Sequence, residues 1–328
     1  MQEGKRKLLA KVAYLYYIED KNQNEIAKEL NIYRTTISRM LKQARDEGIV
    51  TIEIHDYDPA VFSLELYLKE KFDLKDIVIC PSSYEGTEEE KEENVAEEAA
   101  SYLKRIIKKN DVVGVSWGST LRKMIGKIQR VKMTDATFVP LAGGPSHVHS
   151  LYHVNTIVYD LARHFNGKSI FINATVVQET KELRDGIMNS KYFEEIKNYW
   201  ENLDVALVGI GGPLSAKSSE WRDLLTNEDR EELKLREAIG DCCCQFIDQD
   251  GKILKGNLYN RTVSVRLEQL KETPYSIGVA RGKQKSRSIL AMLKKQYINV
   301  LITDEETALE ILKVAKDSNW RRFADKVQ

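Results

Sequence analysis

The chain has 328 residues, too many for one average domain and enough for two with well-filled cores. Hydrophobic residues make up 42% and charged residues 30%, which excludes a disordered, collagenous or membrane-embedded chain. Lys and Arg balance Asp and Glu to a formal net charge of zero, yet residues 1–45 hold ten Lys or Arg against five Asp or Glu. No window is long and apolar enough to span a membrane. The apolar run after Lys5, Arg6 and Lys7 is broken by Lys11 and closed by Glu19 and Asp20, so a signal peptide is not expected and a cytoplasmic location is.

Taken in order, residues 6–19 read as a helix, with Leu8, Val12, Leu15 and Tyr16 at helical spacing. Asn22 then stands three residues before Glu25, the spacing of a capping box. Ile26, Ala27 and Leu30 share one helical face, and Asn31 is a turn residue that tolerates left-handed backbone. A second helix follows at once. Its inner stripe is Ile37, Met40, Leu41 and Ala44; its outer face carries Arg34, Thr35, Thr36, Ser38, Arg39 and Lys42. Cations beside short hydroxyls are what a helix entering the DNA major groove needs, since Arg and Lys reach guanine edges or phosphates and Ser and Thr do not hold the helix away. Residues 49–54 alternate like a strand after Gly48 and would suit a wing. The expectation is a winged helix-turn-helix DNA-binding domain over 1–57. The local excess of positive charge is small, so tight binding to double-stranded operator DNA would need several heads acting together in a homo-oligomer.

Pro59 marks the boundary with a second domain over 58–328. A short helix is expected over 64–72 and a strand over 76–80. The acidic run 85–93 reads as a solvated loop and helix start, leading to an amphipathic helix over 94–109. Strands and helices then alternate. The strands are expected at 111–116, 137–141, 169–174, 204–210, 241–247, 277–280 and 299–303, and the helices at 120–129, 154–165, 192–201, 228–238, 286–295 and 305–316. Several strands are continuous apolar runs, as parallel strands covered on both faces should be, so the domain reads as a Rossmann-like doubly wound α/β fold. Residues 252–271 look like a hairpin or an added edge strand. Cys80 and the run Cys242-Cys243-Cys244 contain no Cys-x-x-Cys pair, and three consecutive strand residues alternate between faces, so no metal and no other cofactor is expected.

Ligands of such sheets bind at the carboxyl ends of the strands. Four strand ends here have loops of small residues: Gly118, Ser119 and Thr120, opening a helix; Gly143 and Gly144; 209–213; and 280–285, which ends on Lys285. A glycine lets the backbone approach a ligand, hydroxyls donate, and helix-start N–H groups favour an anion. Together they point to a phosphorylated small ligand. The dinucleotide fingerprint and the P-loop pattern are both absent.

In sequence, V-A-Y-L-Y-Y-I-E-D-K-N-Q-N-E-I-A-K-E-L, R-T-T-I-S-R-M-L-K-Q-A-R-D-E-G-I-V, V-G-V-S-W-G-S-T-L, V-P-L-A-G-G, H-V-N, D-V-A-L-V-G-I-G, A-I-G-D, F-I-D-Q-D-G and G-V-A-R-G-K-Q-K follow one another in the order found in the SorC family of sugar-binding bacterial transcription regulators. The chain resembles that family over nearly its whole length. The resemblance implies an effector domain similar to sugar-phosphate isomerases, a sugar or sugar-phosphate effector that changes operator binding at a carbohydrate-utilisation operon, and a protein that is usually tetrameric. By position it places Gly118, Ser119, Thr120 and Lys285 on a phosphate, and Asp241 and Arg222 on sugar hydroxyls or a second anion. Three positions depart from the family pattern: Tyr33 where a capping Ser is common, Arg281 in the loop before Lys285, and Asn173-Ala174-Thr175 where a proline-bearing segment is common. The expectation is therefore a DNA-binding regulator and not an enzyme. Two alternatives are a sugar-phosphate isomerase or deaminase with a DNA-binding head, for which His147, His149, His153 and His164 would be the candidate acids and bases, and a regulator that senses an unphosphorylated sugar.

Overall fold

In the computed structural model, which describes residues 2–52, 58–81, 86–129, 134–145, 153–215, 222 and 224–325, the chain divides into two units, Met1–Tyr57 and Asp58–Gln328.

The first unit is three helices, α1 (Gln2–Tyr17), α2 (Gln23–Leu30) and α3 (Arg34–Asp46). Asn22 starts α2 as its capping-box spacing requires: its Oδ1 accepts from the N–H groups of Asn24 and Glu25 at 3.0 and 3.1 Å, and Glu25 accepts the Asn22 N–H at 2.8 Å. Asn31 ends the helix in left-handed backbone at φ 53°. Ile26 and Ile37 are fully buried and pack with Leu9, Val12, Leu41 and Ala44 into one small core. In α1 the expected Val12 and Leu15 are buried and Tyr16 packs against them, but the first position of the stripe is Leu9, with Leu8 turned out. The wing strand is absent from the described part of its span, 49–52. Instead the N–H groups of Ile49 and Val50 both bond back to Ala44 O, closing the end of α3, and the two side chains pack on the helical core. An alternating stretch without a partner strand has nothing to hold it extended.

The second unit begins with α4 (Pro59–Lys71), which starts earlier than expected because Asp58 caps it and Pro59 fits the first turn instead of breaking it. Then follow β1 (Asp76–Cys80), α5 (Glu88–Ile106), β2 (Val112–Val115), α6 (Ser119–Lys127), β3 (Thr137–Pro140), α7 (Val154–His164) and β4 (Lys168–Ser169). Two helices, α8 (Lys181–Met188) and α9 (Lys191–Glu201), precede β5 (Val205–Gly209) and α10 (Asn227–Leu235). A hairpin, β6 (Gly240–Cys242) and β7 (Gln245–Ile247), and two short helices, α11 (Asn257–Arg261) and α12 (Leu267–Glu272), lead to β8 (Tyr275–Val279), α13 (Ser286–Lys294), β9 (Val300–Asp304), α14 (Glu305–Val314) and α15 (Trp320–Ala324).

The main sheet is parallel, in the order β1-β9-β8-β5-β2-β3-β4. Strand residues feed two cores in alternation. Val113, Val115, Val205 and Leu207 pack with α5, α6 and α7, whereas Ala206, Val208, Leu141 and Leu301 pack with α4, α9, α13 and α14. Both faces are covered, so the strands need apolar residues at every position. The chain runs outward from β2 through β3 to β4, then returns to the other side of β2 at β5 and runs out through β8 and β9. The order therefore reverses between β2 and β5, the place where the crevice of an open α/β sheet lies.

Three expected elements differ. The strand at 241–247 is instead the β6–β7 hairpin, with Cys242 paired to Gln245 and Cys243 and Cys244 forming its turn at φ 47° and 61°. Two successive left-handed residues make the tight turn that matches strand twist. Residues 252–271 form α11 and α12, with only single bridges at Ile253, Thr262 and Ser264. The strand at 169–174 stops at Ser169, because Asn155 on α7 captures the chain: its Oδ1 accepts the Ile172 N–H and its Nδ2 donates to Ile172 O, both at 3.1 Å.

Candidate functional site

On α3 the burial pattern separates two faces. Ile37, Met40, Leu41 and Ala44 are buried, while Arg34, Thr35, Ser38, Arg39 and Lys42 are exposed and Thr36 is half-buried. Tyr33 sits at the N-cap but makes no side-chain capping bond and is almost wholly exposed; only its carbonyl serves the helix, accepting from the N–H groups of Thr36 and Ile37.

In the second unit, the loops after β2, β5 and β8 leave three adjacent strands at the switch point. Gly118 is the N-cap of α6, with φ 154° and no side chain to cap the helix, so the N–H groups of the first turn keep their donor capacity beside the hydroxyls of Ser119 and Thr120. After β5, Gly211 takes its place against the hairpin: its N–H donates to Asp241 O at 2.8 Å. The buried Asp241 carboxylate accepts from Arg222 Nη2 at 2.8 Å. Arg222 also donates to Gly212 O at 2.7 Å and Pro213 O at 2.8 Å, leaving its Nε buried without a partner. Burial pushes the Asp241 carboxyl above its usual value, against the pull of Arg222 and Lys285. After β8, Gly282 at φ 105° bends the chain into a short 3-10 turn, Lys283–Lys285, that carries Lys285 to the start of α13. Burial lowers the pKa of its ammonium, and the carboxylates of Asp241 and Glu92 offset that only in part.

These positions form one chain of interactions. Thr120 Oγ1 donates to Glu92 Oε1 at 3.1 Å, Glu92 and Asp241 both act on Lys285 through charge, and Asp241 holds Arg222. A dianion placed among an uncapped helix start, two hydroxyls and the Lys285 ammonium would find donors on several sides. Gly143 and Gly144, on the loop after β3, are engaged otherwise. Their N–H groups donate to Val263 O and Ala174 O, each at 2.9 Å, so neither has a donor left for a ligand. Both are packed too closely for a side chain, with an added Cβ lying 2.7 Å from Thr175 O at 143 and 2.3 Å from His153 Nε2 at 144.

Glu92 lies within a run that looks solvated in sequence. It is nonetheless on the stripe of Val95, Ala96, Ala99 and Leu103, all buried, and that spacing is the signal that turns its carboxylate inward. Three carboxylates of the run are ion-paired: Glu88 with Arg281 at 3.0 Å, Glu92 with Lys123 at 2.8 Å and Glu93 with Lys127 at 2.5 Å. Arg281 also donates from Nε to Asp304 Oδ2 at 2.7 Å, so its charge is neutralised locally. Of the four candidate histidines, His147 and His149 lie outside the described residues. His153 caps α7 by accepting the Asn155 N–H, and His164 ends the same helix eleven residues on, about 16 Å away at about 1.5 Å per residue.

Residues 59–313 match the Sugar-bind family, described as a sugar-binding domain. The sorbitol operon regulator of Klebsiella pneumoniae is 40% identical over 310 residues, 94% of this chain and 98% of that protein. The full-length crystal structure of that regulator superposes with a TM-score of 0.73 at 39% identity, covering 92% of this chain and 97% of the other. The deoxyribonucleoside regulator of Bacillus subtilis (strain 168) is 31% identical over 312 residues, 94% of this chain and 98% of its own length. The crystal structure of a transcriptional regulator from Streptococcus pneumoniae TIGR4 superposes with a TM-score of 0.75 at 43% identity, over 78% of this chain and 98% of that one.

Proposed function

The chain belongs to the SorC-type family of transcriptional regulators with a sugar-binding domain, and from that premise we propose that it reads an operator through α3 and is switched by a phosphorylated sugar held at the ends of β2, β5 and β8. Arg34, Thr35, Thr36, Ser38, Arg39 and Lys42 are the residues that meet DNA. Gly118, Ser119, Thr120 and Lys285 take the phosphate, and Asp241 with Arg222 takes sugar hydroxyls. The carrying observation is the meeting, at the switch point, of an uncapped helix start, a half-buried lysine and a buried carboxylate already held by an arginine. Gly143 and Gly144 serve this site as close-packed backbone. Each head brings few positive charges, so we place the working protein as an oligomer, a tetramer, whose heads add their phosphate contacts.

One observation favours a second reading, the unphosphorylated sugar: the Glu92 carboxylate is bonded to Thr120 within the phosphate cradle. An isomerase-like enzyme has less support, since His153 is engaged as a helix cap and the similar proteins are transcriptional regulators. The test is a thermal-shift screen of sugars against their phosphates with the full chain. A ligand at a hundredfold its Kd adds about 2.7 kcal/mol of stability. Stabilisation by a sugar phosphate that disappears in Lys285→Ala supports the first reading, and a response to free sugars alone moves the assignment to the second.

A further inference from the structure

The carboxylate inside the cradle has a role of its own. Glu92 Oε1 accepts from Thr120 Oγ1 at 3.1 Å and, at the outer limit of hydrogen bonding, from Ser119 Oγ at 3.5 Å. Its other oxygen, Oε2, meets Lys123 Nζ at 2.8 Å. Burial works against the charge, but Lys123, Thr120 and Lys285 outweigh it and hold the group below its usual pKa, so it is an anion at neutral pH. The two hydroxyls assigned to a phosphate are thus already donating to an anion that belongs to the chain.

We propose that Glu92 is the resident anion of the cradle, displaced when a phosphate group binds, and that it sets the selectivity of the site for a doubly charged group over a singly charged one. This rests on the phosphosugar reading of the same site. The geometry makes the exchange inexpensive in two ways. Glu92 keeps Lys123 as a partner on its far oxygen after Thr120 is released, and Lys123 lies 3.9 Å from Glu93 as well, so the lysine remains compensated throughout. While no ligand is bound, the carboxylate keeps the hydroxyls oriented and opposes the fall in the Lys285 pKa. A carboxylate or a neutral hydroxyl arriving from a ligand would replace like with like or worse. A phosphate dianion brings a second charge and three acceptor oxygens.

The test is calorimetric titration of the full chain with inorganic phosphate at constant ionic strength. Glu92→Gln is close in shape and removes the charge, and it should bind phosphate about tenfold more tightly than the parent protein, 1.4 kcal/mol by the usual conversion. Glu97→Gln removes the same charge from an exposed position on the same helix and should stay within about twofold of the parent. Glu92→Asp keeps the charge beside Lys123 but withdraws it from Thr120, and it should share part of the gain. If Lys285→Ala weakens phosphate binding while Glu92→Gln leaves it unchanged or weaker, the role of Glu92 is refuted and the phosphate site stands. If neither the parent nor Glu92→Gln binds phosphate, both the exchange and the phosphosugar reading are refuted.

Discussion

Gly211→Ala is the smallest change that should dismantle the sugar site proposed at Asp241 and Arg222. A β-carbon at 211 would lie 2.1 Å from Asp241 Oδ1 and 3.1 Å from Arg222 Nη2. A carbon–oxygen contact needs roughly 3.3 Å, so the carboxylate must retreat by about 1 Å. Its 2.8 Å bond to Arg222 would not survive such a retreat. Separating a buried ion pair costs on the order of 3–5 kcal/mol. Arg222 keeps its carbonyl partners Gly212 and Pro213, which places the expected loss at the lower end, about 3 kcal/mol. The assay is urea unfolding of the second unit's transition, read as a shift in midpoint at constant slope. The same alanine in an Asp241→Ala background meets no carboxylate and should add less than about 1 kcal/mol. Additive losses in the double variant, within about 0.5 kcal/mol, would refute the claim that Gly211 is required by Asp241.

Further outcomes follow from the same geometry. Arg39→Ala should weaken operator binding by about 1–3 kcal/mol in a gel-shift or anisotropy titration while leaving the sugar response intact; loss of both would count against a separate DNA-binding head. Lys285→Ala should raise the Kd for a sugar phosphate by about tenfold or more and leave the DNA affinity of the ligand-free protein unchanged. Asp317 accepts from Tyr67 Oη and from the Asn319 N–H, each at 2.7 Å, and pairs with Lys71; burial opposes its charge, but these partners hold its pKa at about 2. An unfolded Asp titrates near 4, so this stabilisation is full above that pH and drains as the pH falls toward 2. Urea midpoints should show about 1 kcal/mol of it lost between pH 5 and pH 3, and Asp317→Asn should remove that part of the slope. An equal slope in the variant would show that another group controls acid unfolding.

The helix-turn-helix was legible because its determinants are local. Asn22 and Glu25 cap across three residues, Asn31 turns by its own backbone tolerance, and the α3 stripe follows from spacing alone. The alternation of apolar strands with amphipathic helices was legible for the same reason, and with it the parallel α/β class, though not the strand order. Where a stretch depended on a distant partner, the reading slipped. Residues 49–52 alternate like a strand, but among the described residues no strand lies beside them. The end of the 169–174 run is decided by Asn155 reaching from α7. The cysteine run became a turn because Gly240 and Asp241 pair with Phe246 and Ile247 across it.

What the sequence determined by itself about this protein is therefore its two-unit plan, the exposed face of cations and hydroxyls on α3 and the glycine-rich strand ends, all of which rest on residues a few positions apart. Only the tertiary structure decided what fills the site. It brought Asp241 to Arg222 across 19 positions and Glu92 to Thr120 across 28, and it closed the N–H groups of Gly143 and Gly144 with carbonyls of Val263 and Ala174. Those contacts depend on which strands become neighbours, and neighbours in a parallel sheet are set by crossovers that local periodicity does not encode.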